Sequence, residues 1–531
     1  MDAFKRVLRN LFMRVEGGLD HVFPSGWNPL CHTGALGFFF YWIVAVSGVY
    51  VYILFDTGTT AAYLSVEAMT NQHWYHAGVM RSLHRYASDG LALFMFVHIV
   101  REFAFDRLRG PRWFTWVTGV PIVWLVFICG ISGYWMVWDK LAQYIAVTTT
   151  EWLDWLPIFG EPVARNFLSA LALENRFFTL LMFLHIAVPL ILLFVLWIHL
   201  QRMSRPKINP PRGLAIGTFV TLVALSLVRP ALSQGPADLD MVPGTVGLDW
   251  YYLLFYPVLN QLPKGDTWAL AGILSFMLAA LPFLPPMKRA PVAKVSLGNC
   301  NGCTRCAADC PFNAIVMGPR TDGLPFDREA VVDPDLCVSC GICMGACPSS
   351  TPFRRTAPLV TGIDLPHFSL ETLRDKLHAA ATGLSAGPRI IVFGCDHGAD
   401  VRRLGGAGVA AISLPCIAML PPSMIDYALA RGNFDGVFLT GCREGECFHR
   451  LGTEWMDQRL DGKRDPRLRA RVPRERVARF WAGPVELRAL GASVADFGAR
   501  LSALTGQDQA AHRPQGPAAP AATGEEVPVD G

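Results

Sequence analysis

Charge is scarce in this 531-residue chain: Asp, Glu, Lys and Arg make up 17% of it, and the net charge is only +4. So small a balance gives no argument for a nucleic-acid surface, whose affinity comes from many cationic contacts to phosphate. A glycine-rich dinucleotide fingerprint is absent, and so is any motif for a hydride-transfer site. No cleavable signal peptide is evident. The start, MDAFKRVLRNLFMRVEGG, is basic and amphipathic without a long apolar core, and reads as a helix lying on the inner membrane surface. Cysteine is nearly missing from the first 299 residues, which hold only Cys31 and Cys129; both read as small buried hydrophobes.

Apolar residues are abundant instead, at 52% of the chain, with a mean hydropathy of +0.31. The excess lies before about residue 288. Six segments there are expected to span a bilayer, which takes roughly 20 residues each. They are Gly34–Phe55, Met80–Arg101, Thr115–Trp138, Phe177–Gln201, Leu214–Val228 with its flanks, and Trp268–Leu284. Basic residues cluster before the first (Lys5, Arg6, Arg9, Arg14) and between the second and third (Arg101, Arg107, Arg109, Arg112). They cluster again between the fourth and fifth (Arg202, Arg205, Lys207, Arg212) and after the sixth (Lys288, Arg289, Lys294). The alternate loops hold almost none, so the positive-inside rule places both termini in the cytoplasm.

Histidine is rare and costly inside a bilayer. His84 and His98 stand 14 residues apart on the second span, and His185 and His199 repeat the interval on the fourth. Fourteen residues rise roughly 21 Å and return to within about 40° of one helix face. Two such helices facing each other would stack two bis-histidine sites across the membrane, and haem iron accepts two axial imidazoles. Packing or proton-path histidines are the alternative. Gly34 and Gly48, and Gly119 and Gly133, repeat the same interval. They let a flat macrocycle, or simply a neighbouring helix, approach closely.

On these residues the segments RSLHRYASDGLALFMFVHIVR and NRFFTLLMFLHIAVPLILLFVLWIH resemble the haem-bearing helices of cytochrome b from the cytochrome bc complexes. Arg81, Pro189 and the Gly133-Tyr134 pair stand where that family has them. The resemblance covers about residues 1–288. It implies two b haems, one toward the outer face on His84 and His185 and one toward the cytoplasm on His98 and His199, with Arg81 and the four glycines packed about them. GLDWYYLLFYPVL is similar to the loop beside that family's outer quinol site. Asp249, Trp250 and Tyr251 are the candidates there, Asp249 as proton acceptor. The family's proline is replaced by Leu248, and its glutamate by the shorter Asp249. An acidic loop residue without catalytic work is the alternative.

Twelve of the fourteen cysteines lie between Cys300 and Cys447. Eight form two copies of one run, Cys300-x2-Cys303-x2-Cys306-x3-Cys310-Pro311 and Cys337-x2-Cys340-x2-Cys343-x3-Cys347-Pro348. Zinc sites use simpler pairs, whereas this spacing resembles the two-cluster bacterial ferredoxin, in which each run's fourth cysteine serves the other cluster. The resemblance implies one [4Fe-4S] cluster on Cys300, Cys303, Cys306 and Cys347, and another on Cys310, Cys337, Cys340 and Cys343. Thiolate spacings of this kind belong to a reducing compartment.

The remaining four, Cys395, Cys416, Cys442 and Cys447, sit after strands or in turns of an α/β pattern. Arg389–Phe393 and Val437–Thr440 read as buried strands and Ser423–Arg431 as a helix. Ligands at the ends of parallel strands converge at one sheet edge, and four thiolates suit one more cluster, [2Fe-2S]. A redox-active Cys442/Cys447 pair is the alternative. His397 and His449 read as solvated loop residues. The block resembles the iron–sulfur delta subunit that links hydrogenase to heterodisulfide reductase in methanogens. That resemblance implies a flavoprotein or heterodisulfide-reductase-like partner.

The expected architecture is multidomain. A six-span all-α cytochrome b-like bundle (1–289) precedes an α+β dicluster ferredoxin (290–350). A linker (351–387) with a helix from Ser369, an α/β iron–sulfur domain (388–505) and a disordered tail (506–531) follow. The expected role is a subunit of a quinone oxidoreductase in a prokaryotic inner membrane. It carries electrons from a cytoplasmic donor to quinone, its primary dehydrogenase site on a partner. Reverse flow from quinol, and a redox sensor or anchor without turnover, are the other readings. The bc resemblance also suggests a homodimer.

Overall fold

The computed structural model describes residues 2–23, 27–158, 175–201, 206–249, 252–284, 291–384, 387–484 and 486–511. It divides into two units. The first is residues 1–292 with 310–317 and 331–339; the second is 293–309, 318–330 and 340–531.

The described part of the first unit is almost wholly helical. Its elements are α1 (Asp2–Val22), α2 (Thr33–Leu54), α3 (Ala61–Asn71), α4 (Val79–Ala104), α5 (Trp113–Val137), α6 (Lys140–Asp154), α7 (Asn175–Leu200), α8 (Arg212–Val228), α9 (Phe255–Gln261) and α10 (Lys264–Ala280). Helix is the structure apolar sequence must take in lipid, because every backbone donor and acceptor is then satisfied within the segment. α2 lies along α4, α5 along α7, and α8 packs on α4. One buried cluster joins Leu36, Phe40 and Ile43 of α2 to Leu83 and Ala87 of α4 and Leu222 of α8.

Four stretches among the described residues are long and apolar enough to cross a membrane: Pro29–Leu54, Trp113–Val137, Asn175–Leu200 and Lys264–Phe283. The expected second and fifth spans do not meet that standard. α8 is apolar but has only 17 residues. α4 has 26 residues, about 39 Å of helix. Arg81, Arg85, Asp89, Arg101 and Glu102 lower its hydropathy. Those charges are paired: Arg85 with Asp89 and Asp249, and Arg101 with the fully buried Glu16 of α1 at 2.9 Å. Pairing inside protein is the condition on which ionisable groups persist at membrane depth.

In the second unit, short strand β1 (Lys294–Val295) pairs antiparallel with β4 (Ile363–Asp364). Strands β2 (Ile315–Pro319) and β3 (Arg328–Val332), whose residues are divided between the two units, form a two-stranded sheet. The short helices α11 (Arg305–Asp309) and α12 (Ile342–Ala346) each follow a cysteine turn. Residues 351–387, expected as linker, thus contribute β4 and the helix α13 (Leu370–Thr382). Ser369 caps α13 by accepting from Thr372 N at 3.1 Å, and its Leu370, Leu373 and Leu377 are buried.

The C-terminal part is a parallel sheet of order β6-β5-β7-β8, from β5 (Ile390–Cys395), β6 (Val409–Leu414), β7 (Gly436–Leu439) and β8 (Val477–Arg479). Central β5 and β7 are buried at every residue, hence their continuous apolar runs. Helices α14 (Pro422–Ala430), α15 (Gly452–Leu460) and α16 (Leu487–Ala511) complete the layer. Leu490, Val494, Phe497 and Leu501 of α16 recur at helical spacing and pack on Ile390, Val392 and Phe438. The expected tail falls partly on α16; beyond residue 511 it lies outside the described residues.

Candidate redox centres

In the first unit the four histidines meet as two pairs. The rings of His84 and His185 stand 6.3 Å apart, centre to centre. An iron held between two imidazoles at ~2 Å from each nitrogen, with each ring centre ~1.1 Å behind that nitrogen, requires about 6 Å. The donor set and its spacing therefore fit a bis-histidine haem. His98 and His199 lie within electrostatic reach of one another.

Each histidine is oriented by the same device. Nδ1 meets a hydroxyl: His84 with Ser47 at 3.2 Å, His98 with Thr33 at 3.1 Å, His185 with Ser132 at 2.9 Å and His199 with Thr118 at 3.2 Å. These contacts leave Nε2 of each ring free to face a metal. The residue after each hydroxyl is a glycine, and each glycine backs the same ring. A Cβ at Gly34 would come 3.2 Å from His98 Cε1, at Gly48 2.9 Å from His84 Cε1, at Gly119 3.5 Å from His199 Cε1 and at Gly133 3.0 Å from His185 Cε1. A side chain at Gly48 would clash with the imidazole it backs and one at Gly34 or Gly133 would crowd it, while at Gly119 the contact would be an ordinary one. Sequence reading found the glycines but missed Thr33, Ser47, Thr118 and Ser132. A hydroxyl-glycine dipeptide recurring at 14 residues was the available signal.

The candidate quinol loop looks different. The Asp249 carboxylate pairs with Arg85 and accepts from Tyr134 Oη, while the Arg85 guanidinium lies 4.5 Å from the Tyr134 ring centre. Asp249 is therefore already engaged by two donors. Trp250 and Tyr251 lie outside the described residues. Arg81 reaches Thr70, Ser233 and Glu67. Cys31, in a short turn before α2, and Cys129, within α5, were expected to be buried and are half-buried.

The two cysteine runs share one backbone path. Gly302 and Ser339, just before the second cysteine of each run, have φ +66° and +56°; Thr304 and Gly341, just after it, have +64° and +74°. Left-handed residues interleaved in this way turn successive N–H groups into a concavity that suits an anionic group. In the second unit Cys300, Cys303, Cys306 and Cys347 converge. Burial first, and then Cys347, Cys303 and Cys300, push the Cys306 thiol up to about 12. Ser349 Oγ stands 3.0 Å from Cys347 Sγ and accepts from Gly362 N at 2.6 Å. Arg320 donates to the carbonyls of Cys300 and Leu297, each at 2.6 Å. In the first unit Cys310 Sγ accepts from Ala314 N at 3.3 Å and interacts with Cys337. Cys340 and Cys343 are buried in the second.

The last four cysteines meet at the carboxyl edge of the parallel sheet. Cys395 ends β5, Cys416 follows β6 by two residues, and Cys442 follows β7 by three. All four are buried. Cys395 and Cys442 sulfurs are 3.5 Å apart, near the ~3.8 Å edge of a tetrahedral thiolate site with ~2.3 Å bonds. Phe448 N donates to Cys442 at 3.4 Å and Gly452 N to Cys447 at 3.2 Å. Cys416, through its bond with Cys447 and then burial, and Cys442, through its bonds with Cys395 and Cys447, are held well above the ordinary thiol value; the same bonds hold Cys447 well below it. Four buried sulfurs brought together at one sheet edge are a donor set matched to a thiolate-bound metal.

Of the two histidines expected to be solvated, His397 is half-buried and His449 is buried. His397 stacks on Phe448 at 3.7 Å and 10°, and His449 is buried edge-on beside both. The flat contact with Phe448 draws them in.

With this geometry in view, the comparisons divide the chain cleanly. Residues 20–206 match the family model Cytochrome b/b6/petB. Residues 299–351 match the 4Fe-4S dicluster domain, and residues 390–505 the methyl-viologen-reducing hydrogenase delta subunit. Cytochrome b of Dictyostelium discoideum is 23% identical over 299 residues, 51% of this chain and 76% of its own. Cytochrome b of Rhodospirillum rubrum is 23% identical over 301 residues, 50% and 72% respectively. A solved chain described as Hyperthermophilic respiratory Complex III aligns at 20% identity and a TM-score of 0.38, covering 48% of this chain and 74% of that one, too slight a likeness to bear on the fold. The chain thus joins a cytochrome b-like half to two iron–sulfur segments, the composition of a membrane electron-transfer subunit.

Two substitutions separate the centres. His84→Leu is expected to halve the bound haem in a pyridine assay while leaving cluster iron unchanged. Gly452→Ala puts a methyl group 2.4 Å from Cys416 Sγ. If Cys395, Cys416, Cys442 and Cys447 hold a metal centre, it is expected to abolish that centre's electron paramagnetic signal while haem content persists.

Proposed function

We propose that this protein is the membrane subunit of a quinone oxidoreductase, carrying electrons from a cytoplasmic flavoprotein or heterodisulfide-reductase-like donor to membrane quinone. In this reading His84 with His185 and His98 with His199 hold two b haems. Cys300, Cys303, Cys306 and Cys347 hold one [4Fe-4S] cluster, and Cys310, Cys337, Cys340 and Cys343 the other. Cys395, Cys416, Cys442 and Cys447 hold a [2Fe-2S] cluster. These groups when bound supply one-electron carriers; the chain itself positions and insulates them. The membrane is a prokaryotic inner membrane, both termini are cytoplasmic, and a homodimer is consistent with the cytochrome b likeness.

The observation that carries this reading is the close seating of the third cysteine site on the dicluster segment. Within the second unit Cys416 and Cys340 lie within electrostatic reach of one another. The helix after Cys340 packs on the turn after Cys416: a Cβ at Gly341 would fall 2.7 Å from Met419 Cγ, and one at Gly345 2.0 Å from the Ala418 carbonyl oxygen. Two independent cofactor holders have no need of such an approach, whereas an electron relay does.

Asp249 favours this direction over its reverse. Quinol oxidation at the outer loop asks for a free proton acceptor there, and Arg85 with Tyr134 already occupies this carboxylate. Inward flow would also work against the membrane potential, at about 2.3 kcal/mol per electron for 100 mV.

An equilibrium redox titration of the purified complex tests the reading. The third cluster is expected at or below the potential of the quinone couple, with donor-driven reduction of haem accelerating quinone reduction. Clusters that all sit well above the quinone couple would defeat it. Asp249→Asn is expected to change donor-driven quinone reduction by less than twofold.

A further inference from the structure

Arg459 of α15 is fully buried, at 0% exposure. Its Nη2 donates to Asp309 Oδ2 at 2.6 Å and its Nη1 to the carbonyl oxygen of Ala418 at 2.7 Å. Asp309 immediately precedes Cys310, the last cysteine of the first run, and Ala418 lies two residues after Cys416. One guanidinium therefore clamps the cysteine-run segment to the turn that carries a ligand of the third site. Trp455, one turn earlier and also fully buried, donates from Nε1 to the Asp309 carbonyl oxygen at 3.1 Å.

The charges do not cancel. The single Asp309 carboxylate is shared with Arg464, whose guanidinium stacks 3.4 Å from the Trp455 ring centre. Two cations thus face one buried anion, and the buried member, Arg459, lies within electrostatic reach of Cys416. Its Nε hydrogen has no acceptor among the described residues. A buried donor without an acceptor is costly.

We propose that Arg459 is a positioning residue for the third cluster, fixing it against the dicluster segment and raising its reduction potential. This rests on the reading of Cys395, Cys416, Cys442 and Cys447 as a cluster site. Reduction there adds one electron, with no bond made or broken and no proton moved. A fixed cation at low dielectric favours the more negative form. Asp309, which offsets that cation, acts in the opposite sense.

The test is an electron-paramagnetic redox titration of the third cluster in the full-length protein, comparing wild type, Arg459→Met, Arg459→Lys and Asp309→Asn. Arg459→Met is expected to lower the reduced-to-oxidised ratio at fixed potential about tenfold, or about 59 mV for one electron. Asp309→Asn is expected to raise it by a similar factor, and Arg459→Lys to stay near wild type although the clamp is weakened. If Arg459→Met does not retain the cluster, the upward shift in Asp309→Asn decides alone. An intact cluster whose potential is unmoved by either change, or moved the same way by both, overturns the inference and leaves the cluster site standing. A wild-type protein without the third signal, its iron content short by that cluster, overturns both.

Discussion

The constraint on which this fold depends is the burial of metal-seeking side chains in places where water cannot satisfy them. An unpartnered buried polar group costs ~1–3 kcal/mol, and this chain buries seven of its twelve clustered cysteines and half-buries the other five and the four imidazoles. Each half answers with the same economy of means. In the helical unit a hydroxyl fixes Nδ1 and the next residue, a glycine, makes room for the ring. In the cysteine-rich unit backbone N–H groups reach sulfur and left-handed residues wrap the loop. The geometry of the candidate donors in both halves is thus set in part by residues that are not themselves candidate ligands.

Much of this was legible from spacing. The 14-residue interval placed two histidines on one face of α4 and two on α7, because that interval is nearly four whole turns. The paired cysteine runs were equally plain, since thiolate ligation leaves a regular spacing. The convergence of Cys395, Cys416 and Cys442 followed from parallel strands ending at a common edge.

What escaped did so for physical reasons. β6, with its Val-Ala-Ala-Ile-Ser-Leu sequence, has little of the branched enrichment that marks a buried strand, and β8 has three residues. α4 defies a hydropathy test because its charges are neutralised by partners 85 residues away at Glu16 and 164 away at Asp249. The same distant pairing hid the engagement of Asp249, which a local motif presents as free. His449 was misread because His397, against which it packs, is its neighbour only through the fold. Asp309 and Arg459 are ordinary surface residue types, and only tertiary structure makes them a buried clamp.

The central claim is that the cysteine sites and the histidine sites form one path. Stopped-flow haem absorbance answers it most directly. The full chain is mixed with a reduced flavoprotein, a donor too large to reach membrane-embedded histidines, and compared with Cys416→Ser at equal haem content. A relay requires that cluster reduction precede haem reduction and that the substitution slow haem reduction by at least about tenfold, a barrier increase of about 1.4 kcal/mol. Haem reduced at an undiminished rate in the Cys416→Ser protein would contradict it.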